Sequence, residues 1–100
     1  MTTYRNRPVD VIIDVRSRLE WLFGHIQSAR CIPVDVLEQR IEGLPGITHD
    51  SSILVYCKSG SRSKLASDRL RELGYRKVID GGPIARMRIE ARPGGKLLFE

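Results

Sequence analysis

The stretch Ile53-Leu54-Val55-Tyr56-Cys57-Lys58-Ser59-Gly60-Ser61-Arg62 decides the fold through the contrast between its two halves. Ile53 to Tyr56 form an unbroken apolar run rich in β-branched and aromatic side chains, the pattern of a strand buried on both faces. The remainder is too polar and too rich in Gly and Ser to continue that strand, so the chain turns sharply after Cys57. Helical spacing then returns in Leu65, Ala66, Leu70 and Leu73, and Gly74 supplies a terminator before Tyr75 and a short strand around Val78-Ile79.

Working back toward the N-terminus, Val9 to Val15 reads as a second buried strand carrying Val11, Ile12, Ile13 and Val15, with Asp10 and Asp14 as interruptions that need partners. Ser17-Arg18-Leu19-Glu20 has the form of a capping box, which predicts a short helix that starts at Ser17, carries Leu19, Leu22 and Phe23, and stops at Gly24. Cys31-Ile32 before Pro33 reads as a brief strand. Asp35 and Glu38 repeat the capping pattern, and Leu37, Ile41 and Leu44 make one helix stripe ending at Pro45-Gly46. Toward the other end, Gly81-Gly82-Pro83 reads as a turn, Ile84 to Ile89 as a last helix and Arg92-Pro93-Gly94-Gly95 as a loosely held tail. Strands alternating with helices across short connections predict an α/β fold, a small, mainly parallel sheet flanked by helices on both faces. The 100 residues suit a single domain, with its core over about 9–91 and a tail over about 92–100.

Composition narrows the function classes. Hydrophobic residues make up 41% and charged residues 29% of the chain, and no apolar run approaches the about 20 residues of a membrane span. The first residues have no apolar core of the signal-peptide kind, so a cytoplasmic location is expected and no membrane contact. The net charge of +5 comes from bases interleaved with acids, and only 6% of residues are aromatic, which argues against a nucleic-acid surface. Two cysteines without a CxxC pair or a Cys/His cluster make neither a disulfide framework nor a metal site.

Cys57 ends a buried strand just before a helix, where ligands gather in open α/β sheets. Free N–H groups at the helix start, together with Lys58 and Arg62, favour the thiolate, the nucleophilic form. Ser59, Gly60 and Ser61 are small enough to let backbone amides converge on one anion. A plain packing role stands beside this reading, because cysteine is among the most buried residue types.

These segments together resemble the rhodanese-like domain family over Val11 to about Met87. Ile13-Asp14-Val15-Arg16 with Glu20 and Trp21 resembles the family's opening strand. Gly24-His25-Ile26, Ala29 and Ile32-Pro33 resemble its G-H-I-x-x-A-x-x-I-P stretch. Val55-Tyr56-Cys57 with Gly60, Arg62-Ser63 and Ala66 resembles its active-site strand and loop, and Gly74-Tyr75, Val78 and Gly81-Gly82 its closing segment. Ser28, Cys31 and the Arg86-Met87 region depart from the pattern. The resemblance implies a sulfurtransferase moving a sulfane sulfur from a small anionic donor such as thiosulfate to a thiophilic acceptor, cyanide, a thiol or a protein, through a Cys57 persulfide and without a cofactor.

On that reading Cys57 is the nucleophile and the amides of Lys58, Ser59, Gly60, Ser61 and Arg62 hold the persulfide. Lys58 and Arg62 attract an anionic donor, or Arg62 only braces the loop. Asp14 and Arg16 are read as an ion pair that supports structure, and His25 as a ring held by a backbone hydrogen bond. Trp21 and Phe23 are read as packing residues. Cys31 is either a buried, inert thiol or a resolving thiol. Two other function classes stand beside sulfur transfer: a non-catalytic binding module on the same fold, and a cysteine-dependent phosphatase or arsenate reductase. Four residues separate Cys57 from Arg62, one fewer than in the C-x₅-R loop of tyrosine-type phosphatases, which makes the narrower cradle the poorer fit to phosphate.

Overall fold

The structure, a computed structural model, describes residues 2–90. It opens with an antiparallel hairpin of β1 (Thr2–Tyr4) and β2 (Arg7–Val9), turned by Arg5 and Asn6 at φ of 49° and 65°. Then follow β3 (Val11–Asp14), α1 (Arg18–Leu22), β4 (Arg30–Cys31), α2 (Leu37–Arg40) between 3₁₀ turns at Val34–Val36 and Ile41–Gly43, β5 (Ser52–Cys57), α3 (Ser61–Glu72), β6 (Lys77–Pro83) and α4 (Ile84–Glu90). The main sheet has the order β4-β3-β5-β6 with every pairing parallel.

Side-chain alternation along these strands builds two cores. Ile13, Ile53, Val55 and Cys57 meet Leu37, Ile41, Ala66 and Leu70 on one face, while Ile12, Leu54, Tyr56 and Ile79 meet Ile26, Ile84 and Met87 on the other. Covered on both faces, β3 and β5 are apolar throughout apart from Asp14 and Ser52. The expected α/β architecture is what the chain adopts.

Four local expectations differ from the structure. The run from Val9 to Val15 is two strands meeting at Asp10, whose N–H donates to the Ser52 carbonyl at 3.0 Å and whose carboxylate accepts from Ser52 N at 2.8 Å. The core therefore begins before residue 9, with Tyr4 buried in the second cluster. The second capping box does not form: no side chain caps Val34–Val36 or α2, and Glu38 instead pairs with Arg69 of α3. Gly81-Gly82-Pro83 is not a turn but the end of β6, admitted by a bulge beside Val55 and Tyr56. A Cβ on Gly81 would lie 2.8 Å from Met87 Sδ and 3.0 Å from the Val55 carbonyl oxygen, so only glycine fits there. Helix α1 has its capping box on Ser17 and Glu20, but Leu19, Leu22 and Phe23 are 64%, 62% and 84% exposed rather than packed. The Arg92-Pro93-Gly94-Gly95 tail lies outside the described residues.

Candidate active site

Cys57 is the last residue of β5, opposite Pro83 of β6, and its side chain has no exposed surface. Gly60, at φ 104°, reverses the chain so that α3 can start at Ser61. An L side chain would be strained at that angle. The turn aims two amides at the sulfur: Gly60 N donates to Cys57 Sγ at 3.0 Å and Ser63 N at 3.3 Å. These belong to the set of N–H groups that a helix start leaves without an internal partner. Burial alone would push the Cys57 thiol up, but hydrogen bonds from the Ser63 hydroxyl and amide and from the amides of Gly60 and Ser59 outweigh it and bring the thiol below its ordinary value. The Ser63 hydroxyl donates to the Gly60 carbonyl at 3.1 Å. Ser63 was not singled out from the sequence, where it reads as one more polar helix residue. Its place as the third residue of α3, where the N–H has no intrahelical partner, is the signal that identifies it.

The two loop cations are placed differently. Lys58 is exposed, and among the described residues no carboxylate pairs with it. Arg62 lies against α1, donating from Nη1 to Glu20 Oε1 at 2.7 Å and from Nη2 to Glu20 Oε2 at 3.1 Å. This forked bond, with help from Ser17, pulls the Glu20 carboxyl down to about 2. The bracing role of Arg62 therefore has a partner, Glu20, which the sequence offered only as a helix cap. Ser59 and Ser61 are exposed on the loop.

Asp14 and Arg16 form a buried pair beside this loop. Arg16 donates to the Asp14 carboxylate from its backbone N, Nε and Nη2 at 2.7 to 3.0 Å, and Nη2 also reaches the Gly24 carbonyl at 2.7 Å. The Tyr56 hydroxyl donates to Asp14 Oδ2 at 3.0 Å while accepting from Ile26 N at 3.0 Å. Burial, followed by the Asp14 charge, holds the Tyr56 hydroxyl protonated far above its ordinary value. The network ties the end of β3 to the exit of α1 and to β5, and neither Asp14 nor Arg16 hydrogen bonds to Cys57. His25 has Nδ1 2.9 Å from the Trp21 carbonyl oxygen and stacks on the Trp21 ring at 3.9 Å. Trp21 is half-buried and bonds the Ala29 carbonyl, whereas Phe23 points into solvent instead of packing. Cys31 is half-buried rather than buried, with Sγ donating to the Arg16 carbonyl at 3.8 Å and its thiol pushed up by burial. Asp80 accepts from Gly82 N at 3.0 Å, a bond that fixes the bulge. Among the described residues, no three His, Cys, Asp or Glu side chains are grouped to hold a metal, and no helix is long and apolar enough to cross a membrane.

A buried cysteine under converging amides, at the carboxyl edge of a parallel α/β sheet, defines a cysteine-loop α/β protein. The match is specific: the rhodanese-like domain model covers residues 3–82, and the chain belongs to that family. It is 34% identical over 76 residues to a Mycobacterium tuberculosis protein assigned as an adenylyltransferase/sulfurtransferase, covering 74% of this chain and 19% of that one. It is 33% identical over 78 residues to a mitochondrial Schizosaccharomyces pombe protein assigned as a thiosulfate sulfurtransferase, covering 68% of this chain and 55% of that one. A tRNA uridine(34) hydroxylase of Enterobacter is 33% identical over 82 residues, 77% of this chain and 24% of the relative. The chain thus spans from about a fifth to about half of these relatives' lengths. Among solved structures, an E. coli rhodanese with anions superposes with a TM-score of 0.70 at 31% identity over 76% of this chain and 88% of that one. The human single-domain sulfurtransferase does so with 0.62 at 28%, over 70% of this chain and 72% of that one. Sulfurtransferases are therefore among its relatives.

Proposed function

We propose that this chain is a sulfurtransferase that carries sulfur as a persulfide on Cys57. The carrying observation is the pair of amides, Gly60 N and Ser63 N, aimed at a sulfur in an otherwise apolar setting. A cysteine that only packs has no use for them, while an anionic sulfur needs them. The Cys57 thiolate attacks the outer sulfur of thiosulfate, the S–S bond breaks with its electron pair leaving on sulfite, and the Cys57 persulfide anion remains in the loop. A nucleophile such as cyanide or a thiolate then takes the outer sulfur and returns the Cys57 thiolate. No external reductant is consumed, and ping-pong kinetics follow. The thiolate, the donor and the acceptor supply all the electron pairs that move, and the loop amides only stabilise the anionic sulfur, so the proposal calls for no metal or organic cofactor. The donors and acceptors are small sulfur anions, thiols or a protein thiol.

The complete cover over Cys57 favours the alternative of a non-catalytic module in which the thiol is core. Intact-mass measurement separates the two: thiosulfate should add one sulfur to the parent and to Cys31→Ser, cyanide should remove it, and Cys57→Ser should gain none. A parent that gains no sulfur leaves the binding module as the better reading. Phosphate chemistry is disfavoured by the short loop and by Arg62, whose guanidinium is committed to Glu20 instead of the cradle. Hydrolysis of p-nitrophenyl phosphate dependent on Cys57 would reverse that conclusion.

A further inference from the structure

Glu20 sits at the junction of two structures. Through Oε1 it accepts from Ser17 N at 3.1 Å and from Ser17 Oγ at 3.0 Å, completing the cap of α1, and through both oxygens it holds the guanidinium of Arg62. The ion pair is only part-buried, with about 30% of each side chain exposed, so it lies where an incoming donor would meet its field. Arg62 is also close enough to Cys57 to feel the charge of its thiolate. Lys58 follows Cys57 in the short loop and Arg62 lies in the first turn of α3, yet one of these two cations is cancelled by a carboxylate on another helix. Around the sulfur the pairing leaves the thiolate, one compensated arginine and one exposed lysine.

Resting on the sulfur-transfer reading, we infer that Glu20 is a specificity-determining residue that sets the charge of the Cys57 cradle by neutralising Arg62, so that doubly charged sulfur donors are disfavoured relative to singly charged ones. Glu20 acts through Arg62 and through its own field rather than by touching the sulfur. A carboxylate roughly 8 Å from a donor in a watery mouth weakens capture of a dianion by about fivefold and of a monoanion by about twofold. That selectivity depends on donor charge and disappears as salt screens the field. A purely structural brace would change all donors alike and would be insensitive to salt.

Glu20→Gln tests this, because glutamine still completes a capping box through its one oxygen while removing the charge and one of the two acceptors that hold Arg62. Thiosulfate is the dianionic donor and benzenethiosulfonate the monoanionic one, with cyanide as acceptor and Cys57 persulfide followed by intact mass. At low ionic strength kcat/KM for thiosulfate should rise about fivefold and for benzenethiosulfonate about twofold, mainly through KM, and both gains should vanish near 1 M salt. The same substitution placed in Arg62→Gln should again raise the thiosulfate value, since the field of Glu20 is there unopposed. Equal changes for both donors, a fall for thiosulfate, or no rise in the Arg62→Gln background would overturn the assignment. Should Glu20→Gln lower the melting temperature sharply, Glu20→Asp decides: it keeps the charge, so a thiosulfate gain in that variant would also overturn it. A parent that takes sulfur from neither donor refutes sulfur transfer itself, whereas normal persulfide formation without the charge ordering refutes only the role of Glu20.

Discussion

Strands β3 and β5 are neighbours that end in register at the same edge of the sheet, Asp14 beside Tyr56, and each leads through a tight loop into a helix. Their loops have opposite electrostatics. After β3, the Asp14 carboxylate is fully paired, by Arg16 and the Tyr56 hydroxyl, and nothing is left to bind. After β5, amides converge on a single ionisable sulfur, donor capacity that suits a negative charge. A satisfied buried network makes a hinge rigid, while surplus donors around an ionisable atom make a site. The first loop holds the second in place through Tyr56 and, by way of α1, through Glu20 and Arg62.

The largest expected effect would break the comparison outright: Cys57→Ser should abolish sulfur uptake, with Cys31→Ser retaining it. Turnover of the Cys57→Ser protein at more than a trace of the parent rate would return the site to the other cysteine. Next comes the supporting loop, where Asp14→Asn leaves Arg16 buried without its counter-charge and should cost about 3–5 kcal/mol. For a domain of this size that lowers Tm by about 12 °C or more, while folded protein at low temperature still forms persulfide. A normal melt combined with lost persulfide would move Asp14 into the chemistry.

The lowered Cys57 thiol gives a pH prediction of intermediate size. Thiolate absorbance near 240 nm in Cys31→Ser should appear below the ordinary thiol value of 9.0, and in Cys57→Ser the remaining Cys31 should titrate above it. Because the folded-state value is depressed, Cys57 ionisation adds stability at pH above the unfolded thiol value, an increment lost as pH falls through the lower folded value. The reverse order of the two titrations would contradict the amide geometry. The smallest effect belongs to Lys58: Lys58→Ala should lower kcat/KM for thiosulfate by about fivefold at low salt, or about 1 kcal/mol, and by less at high salt. An unaltered low-salt rate would remove this exposed cation from donor capture.

Much of this was legible in the chain. The apolar runs of β3 and β5 betray two covered faces, and a cysteine before small polar residues and a helical stripe marks the loop. What stayed hidden was decided at long range. The Glu20–Arg62 bond joins residues 42 positions apart, and in sequence Glu20 already has a sufficient local explanation as a cap. Asp35 and Glu38 look like another cap, but Pro33 and the burial of Leu37 and Ile41 draw that segment into 3₁₀ turns and free Glu38 to meet Arg69. Helical spacing places Leu19, Leu22 and Phe23 on one face without revealing that the face turns outward.

The bulge in β6 carries a consequence for how this chain can vary. Alternation makes strand position a matter of parity, and Gly81 adds one residue between Asp80, opposite Val55, and Gly82, opposite Tyr56. That odd step brings Pro83 level with Cys57 and lets its ring lie alongside Gly60. Loss of Gly81 would leave a regular strand with Gly82 still opposite Tyr56 and Pro83 still opposite Cys57, whereas loss of a residue from Lys77 to Asp80 would shift the register of the pairs before the bulge. The bulge thus lets this strand carry one residue more than its neighbour while Pro83 stays level with the cysteine on the adjacent strand.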